Sequence, residues 1–143
     1  MNIPPDVKII STINSGSVYY FRDEAITSES PHYFVVRNKD TVNGPIVALL
    51  CASSQIEKRQ KWYSSCPPET LVIVGPAQYR DFTKQTIINC NEVYKFTIAQ
   101  LVTKLNGGLL RLKAEMSISI VENLRRGILA SPVIERETKE LLY

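Results

Sequence analysis

The sequence predicts a mainly β protein, in which a small antiparallel β-barrel or sandwich is followed by helices. The first two thirds of the chain carry short runs of β-branched and aromatic residues, separated by turn residues and with no helical pattern between them. The last third changes to the helical spacing of apolar residues. We therefore interpret residues 1–143 as a single domain, with a barrel core and first helix over 14–105 and a helical appendage over 106–143.

Six strands are predicted from these runs and from the turn residues that separate them. The first strand follows the turn residues Asn14-Ser15-Gly16, and a turn around Asn43-Gly44-Pro45 comes before the third. The third strand is nearly all apolar, which indicates burial on both of its faces. In chain order, the predicted strands cover 17–21, 32–38, 46–52, 71–74, 86–90 and 92–96.

Three helices are predicted in the last third. Thr97 and Gln100 have the spacing of a capping box, and the helix that they open ends at Gly107-Gly108. Ser119 and Glu122 have the same spacing, and they open a second helix. A final helix is expected to begin at Pro132 and to include Leu141, because proline is tolerated at the first helical position. The apolar face of the second helix consists of Ile120, Leu124 and Ile128.

Composition narrows the class of protein. The formal net charge of +3 is below the strongly basic balance that by itself indicates nucleic-acid binding. No apolar run approaches the roughly 20 residues that span a bilayer, and the first six residues lack a signal-peptide pattern. We therefore expect a cytoplasmic protein without a membrane partner. Because Cys51, Cys66 and Cys90 are odd in number and widely spaced, they predict neither a disulfide framework nor a metal site, and we expect no cofactor.

A basic run beside aromatic residues is the strongest local charge feature. Lys58, Arg59 and Lys61 are next to Trp62, and this combination can hold a phosphate chain and stack bases. The alternative is a solvated loop that the tryptophan anchors to the core.

The catalytic possibilities are limited by what the chain lacks. It contains no P-loop, no Gly-rich dinucleotide motif and no paired-cysteine metal site, and His32 is its only histidine. The enzyme class that remains stabilises a phosphorane with a few hydrogen-bond donors and moves one proton. A ribonuclease of this type uses the 2′-hydroxyl of RNA as its nucleophile.

The order of three segments resembles the MazF/PemK family of toxin ribonucleases. The segments are Gly-x-Val-Tyr-Tyr-Phe at 16–21, Tyr-Phe-Val-Val-Arg-Asn at 33–38 and the apolar strand that ends in Ala52-Ser53-Ser54-Gln55. In the family, the second strand reads Arg-Pro-(apolar)4-x-Asn and the third ends in Thr-[Ser/Ala/Thr]-Gln. Weaker similarity continues at 55–58, 78–88 and 93–101, so that the resemblance covers about residues 14–105.

This resemblance implies a small SH3-like antiparallel barrel of the MazF/PemK/CcdB type, usually a homodimer. It also implies a metal-independent endoribonuclease that cuts single-stranded RNA, and a cognate antitoxin protein that blocks it by filling the RNA groove. Ser53 stands where the family has its catalytic threonine, and Gln55 matches the glutamine of the motif.

The chain departs from the family at one catalytic position. The family arginine falls on Pro31, and the adjacent proline falls on His32. Because an imidazole ordinarily titrates near neutral pH, His32 is the candidate replacement for acid–base work. Arg22, Arg37 or Lys58 are candidates for the missing cation. The candidate catalytic residues are therefore His32 and Ser53, and the candidate RNA-binding residues are Tyr20, Arg22, Ser54, Gln55, Lys58, Arg59, Lys61 and Trp62.

Two other functions remain open on the sequence alone. The missing arginine favours a non-catalytic barrel that binds nucleic acid or a protein partner. The C-terminal helices are an alternative interaction surface. One of Tyr19 and Tyr20 belongs to the core, because successive residues of a strand alternate between its faces, and the other can stack on a base.

Overall fold

The fold is described by a computed structural model that covers Pro4 and residues 15–23, 31–37 and 46–142. The turn expected around Asn43-Gly44-Pro45 and most of the chain start lie outside these residues. The described strands are β1 (Val18–Phe21), β2 (His32–Val36), β3 (Ile46–Ser53), β4 (Leu71–Val74), β5 (Thr86–Asn89), β6 (Tyr94–Thr97) and β7 (Leu110–Lys113). The helices are α1 (Ile56–Trp62), a 3-10 turn (Pro68–Thr70), α2 (Ile98–Asn106), α3 (Ile118–Ala130) and α4 (Arg136–Leu141).

The described strands form one antiparallel sheet, which confirms the mainly β class. Their order is β4-β5-β3-β2-β1-β7, and β6 pairs with the first half of β3 beside β5. Among the described residues no ladder joins β4 to β7, so the sheet is open between these two ends. Each of the six expected strands is present, with bounds that differ from the predicted ones by up to two residues.

Strand β3 lies at the centre of the sheet and is buried on both faces, as its apolar sequence predicts. On one face, Ala48 and Leu50 join a core cluster that is covered by α3. On the other face, Val47 and Leu49 join a cluster that is covered by α2. Because successive side chains of a strand point to opposite faces, an apolar run is stable here only with a helix on each side.

The two long helices differ in how well their starts are predicted. Helix α2 begins with the expected capping box: Gln100 N donates to Thr97 Oγ1 at 3.1 Å, and Thr97 N donates to Gln100 Oε1 at 2.8 Å. The prediction that Ser119 is the N-cap of α3 is wrong. Ser117 caps this helix by accepting from Ile120 N, and Ser119 therefore lies inside the first turn.

The expected start of the last helix at Pro132 is also wrong, because α4 begins at Arg136. Ser131 holds the residues that follow it, 132–134, in a bend. Its hydroxyl donates to Asn91 Oδ1 at 2.7 Å and accepts from Val133 N at 3.4 Å. The side chain of Ser131 therefore binds a backbone N–H that a helix beginning at Pro132 would contain, and it competes with helix formation at this point.

Helix α1 and strand β7 are not predicted by the sequence patterns. Helix α1 has no buried residue, so it lacks the apolar periodicity by which helices are found. Strand β7 contains no β-branched or aromatic residue, yet it pairs with β1 over four positions. The stretch 106–143 therefore contributes a strand to the sheet, and through α3 it contributes apolar side chains to the core.

A buried polar network and a close approach attach α3 to the sheet. Asn91 donates to Thr70 Oγ1 at 2.9 Å and accepts from the hydroxyl of Ser131. All three side chains are buried, and each has a hydrogen-bond partner within this network. Gly127 lies against the turn after β5, where a Cβ atom would be 2.6 Å from Cys90 Sγ and 2.7 Å from the Glu69 carbonyl oxygen. None of the described helices is long and apolar enough to cross a membrane.

The close approach at Gly127 predicts the effect of a single methyl group. Gly→Ala within a helix normally stabilises it by up to about 1 kcal/mol. We expect Gly127→Ala instead to lower the free energy of unfolding by about 1–3 kcal/mol, because α3 must move away from Cys90 and Glu69. Urea denaturation measures this. Gly107→Ala is the control, since its nearest contact would be 3.4 Å; equal stability of the two variants would contradict the packing described.

Candidate active site

A groove of about 880 Å³ lies where β2 begins and β3 ends, and we call it the main groove. Its walls come from these strand ends, from α1 and from the loop between β4 and β5. Eight of the ten residues singled out from the sequence line it. They are Tyr20, His32, Ser53, Ser54, Gln55, Lys58, Arg59 and Trp62.

The two candidate catalytic residues are neighbours across the β2–β3 ladder. Tyr33 pairs with Ala52, and His32 and Ser53 each lie one residue beyond that pair, at the ends of their strands. In an antiparallel ladder these two positions face each other, and both side chains therefore point to the same face of the sheet. An imidazole and a hydroxyl are thus brought to one end of the groove by strand register alone.

Ser53 is held in place by the chain that follows it. Its side chain is 6% exposed, and its Oγ accepts from Gln55 N at 3.1 Å. A hydroxyl that accepts one hydrogen bond can still donate its own hydrogen. The bond also turns the chain at the exposed residues Ser54 and Gln55, directly before α1 begins at Ile56.

Helix α1 brings Lys58, Arg59 and Trp62 to the groove as one helical surface. Lys58 Nζ lies 4.6 Å and Arg59 Cζ 5.2 Å from the centre of the Trp62 ring. These contacts follow from the i, i+3 and i, i+4 spacing of a helix. Trp62 is 57% exposed, so the alternative in which it anchors a loop to the core is wrong.

Arg59 is the cation that is most closely associated with Ser53. Both residues line the main groove, and both also line a narrow crevice that opens beside it, together with Glu92 and Tyr94. Arg59 is half-buried, whereas Lys58 is exposed. A guanidinium carries several planar hydrogen-bond donors, which suits it to a ligand that occupies this part of the groove.

Acidic residues and a further tyrosine of the groove are not marked by any pattern in the sequence. Asp81 and Glu92 line it, and Tyr63 donates from its hydroxyl to Glu92 Oε2 at 3.2 Å. Lys84 and Thr86 complete the opposite wall. These residues lie in loops and at strand ends, where no periodicity marks them, and only the sheet register brings them to the groove.

Three basic residues considered from the sequence lie elsewhere. Lys61 is exposed on α1 and does not line the groove. Arg22 lines a second, neighbouring groove. Arg37, a candidate for the missing cation, is 2% exposed and donates to Ser15 Oγ at 2.5 Å, and burial lowers the pKa of its guanidinium. Arg37 does not line the main groove.

Burial shows which of the two adjacent tyrosines of β1 belongs to the core. Tyr19 is part of the core on the α2 side, whereas Tyr20 is partly exposed and lines the main groove. All three cysteines are free, with Cys51 and Cys90 buried and Cys66 half-buried. In the part of the chain that the structure describes, no group of three or more His, Cys, Asp or Glu residues is arranged to hold a metal ion.

Comparison with known proteins does not assign the chain to a family. No protein-family model matches the sequence, and no curated protein matches it significantly.

Burial around the groove has a consequence at alkaline pH. It raises the pKa of the Cys51 thiol to about 12, and it raises the pKa values of the Tyr94 and Tyr63 hydroxyls. In the unfolded chain these groups lose their protons near pH 8.5 and 10, so the unfolded state is favoured as the pH rises above about 9.

We therefore expect the free energy of unfolding to be constant with respect to these groups below about pH 8 and to fall between pH 9 and 11. Urea denaturation across this range measures the slope. Cys51→Ala is expected to make the slope shallower, whereas Cys66→Ala, at a half-buried thiol, leaves it as in the native protein. An unchanged slope in Cys51→Ala would show that this thiol is not buried as described.

Proposed function

We propose that the protein is a metal-independent endoribonuclease of the MazF/PemK type that cleaves single-stranded RNA in the main groove. The observation that carries the proposal is the juxtaposition of His32 and Ser53 at the facing ends of β2 and β3, in a groove that also holds Arg59 and Trp62. The same proposal includes an SH3-like barrel formed around this sheet, a homodimer and an antitoxin that occupies the groove.

The proposed reaction uses the RNA itself as nucleophile. The 2′-oxygen forms a bond to the adjacent phosphorus, the bond from phosphorus to the 5′-oxygen breaks, and the products are a 2′,3′-cyclic phosphate and a 5′-hydroxyl. His32 takes the proton of the 2′-hydroxyl, and that proton passes to the departing 5′-oxygen. The Ser53 hydroxyl donates to a phosphate oxygen or orients the attack.

The proposed reaction needs a cation that stabilises the phosphorane, and Arg59 is the candidate that lines the groove together with Ser53. The family arginine is replaced by Pro31, so a cation must reach the phosphate from another element. Arg59 shares both the main groove and the crevice with Ser53, and its planar donors can contact two phosphate oxygens at once. We assign the charge-stabilising role to Arg59, and we assign to Lys58 and Trp62 the binding of the neighbouring nucleotides.

The second candidate function is binding of a ligand without cleavage. Two observations favour it, namely Pro31 at the position of the family arginine and the two carboxylates of Asp81 and Glu92 in the groove. Carboxylates repel phosphates, and they suit a ligand that has hydrogen-bond donors. The two functions differ in one measurable property, which is whether the RNA is cut.

The central test is incubation of the purified protein with a long single-stranded RNA in excess EDTA. We expect discrete fragments that end in a 2′,3′-cyclic phosphate. His32→Ala is expected to lower the rate by about 10²–10⁴, as the loss of a general acid–base does, and Arg59→Ala by about 10²–10³. Ser53→Ala is expected to abolish the same fragments, while Ser53→Thr retains them.

Lys61→Ala is the matched control for Arg59→Ala, since it removes one positive charge from the same helix outside the groove. Emission of Trp62, the only tryptophan, reports binding separately from cleavage. Intact RNA with a change in this emission would support the second function. Intact RNA together with unchanged emission, from protein shown to be folded, would contradict the ribonuclease proposal and RNA as the ligand of the second function.

A further inference from the structure

A second groove, which we call the basic groove, adjoins the main groove on the β1–β7 side of the sheet. It has a volume of about 520 Å³. Tyr20 and Pro31 line both grooves, so the two grooves adjoin at these residues. The basic groove also takes in Arg22, Lys104 and Arg111, and among the described residues that line it none is acidic.

A single row of side chains crosses the sheet from one groove to the other. Arg111 of β7 pairs with Tyr20 of β1, Tyr20 pairs with Tyr33 of β2, and Tyr33 pairs with Ala52 of β3. Directly paired residues point to the same face of a sheet, so these four side chains form one continuous strip. The strip begins with a cation, continues over two aromatic rings and ends at Ala52 in the main groove. The side chains of His32 and Ser53, one residue further along β2 and β3, point to the opposite face of the sheet, so the main groove extends around these strand ends.

The contacts of this strip and of Lys113 beside it suit a chain of alternating phosphates and bases. The ring centres of Tyr20 and Tyr33 are 4.5 Å apart, and Lys113 Nζ is 5.6 Å from the centre of the Tyr20 ring. Arg111 and Lys113 are two residues apart on β7, which places them on the same face roughly 7 Å from each other. This spacing is close to that of consecutive phosphates in an extended single strand.

We infer that the basic groove binds the phosphates of a single-stranded nucleic acid whose reacting nucleotide occupies the main groove. Arg22 and Arg111 contact the phosphates, and Tyr20 stacks on a base where the chain passes between the grooves. The inference rests on the proposed function, because it assigns to the basic groove the same nucleic acid that is proposed to react in the main groove. A positively charged track combined with aromatic platforms is the general mode of single-strand binding.

The test measures binding of an oligonucleotide that cannot be cleaved. Fluorescein-labelled 2′-O-methyl oligouridylates of about 4 and about 12 nucleotides bracket the length that reaches from one groove into the other. Fluorescence anisotropy gives the affinity of each at several salt concentrations. We expect the longer oligonucleotide to bind more tightly to the native protein, with a steeper salt dependence.

The variant Arg22→Gln/Arg111→Gln removes two exposed cations of the basic groove. Each lost phosphate contact lowers the salt slope by about 0.7 for a single strand, so we expect a decrease of about 1.4 and a roughly tenfold weaker affinity for the longer oligonucleotide at 0.15 M salt. Affinity for the shorter oligonucleotide stays near the native value. Arg22→Lys/Arg111→Lys is expected to restore most of the binding.

The matched control is Arg126→Gln/Arg136→Gln, which removes the same net charge from exposed positions that line neither groove. Equal losses in this control and in the Arg22/Arg111 variant would overturn the inference. It would also be overturned if poly-glutamate, an acidic peptide, bound the basic groove and the oligonucleotides did not discriminate between the variants. Because the probes cannot be cleaved, failure of the ribonuclease proposal leaves this result unchanged, and the two failures are distinguishable.

Discussion

Strand β3 must be covered on both faces, because seven of its eight residues are apolar and only Ser53 carries a hydroxyl. The sheet meets this requirement with α2 on one face and α3 on the other, and with three partner strands along the two edges of β3. Hydrophobic burial of this kind is the largest favourable contribution to folding. It also determines where the strand can end, since Ser53 lies at the last position before the chain turns out to solvent.

The candidate site lies where β3 ends, at Ser53. Where β3 stops, β2 begins, and the strand register places His32 across from Ser53. The chain then turns through exposed residues into α1, whose first turns bring Lys58 and Arg59 over the same strand ends. A rigid sheet therefore holds the hydroxyl and the imidazole, and a solvent-exposed helix supplies the charges. This division suits the proposed cleavage of RNA, because the strand ends fix the two candidate catalytic side chains while the binding surface remains open to a long chain.

Much of this arrangement could be predicted from the sequence, and the exceptions have physical causes. The strands and α2 carry strong local signals, such as the apolar run of β3 and the Thr97–Gln100 capping box. Helix α1 and strand β7 do not, because α1 buries no residue and β7 is formed by pairing with β1 rather than by its own composition. The start of α4 depends on the long-range bond from Ser131 to Asn91. The contact of Tyr63 with Glu92 and the meeting of the two grooves at Tyr20 likewise depend on how distant segments pack together, which no local pattern reports.

The most direct measurement of the central claim is a crystal structure of the protein with a single-stranded RNA that carries a 2′-O-methyl group at the reacting nucleotide. The account predicts a phosphate within hydrogen-bond distance of Ser53 Oγ and the Arg59 guanidinium, with the 2′-oxygen facing His32 and a base beside Trp62. An RNA bound elsewhere, with the ends of β2 and β3 uncovered, would contradict the claim that this strand junction is the active site.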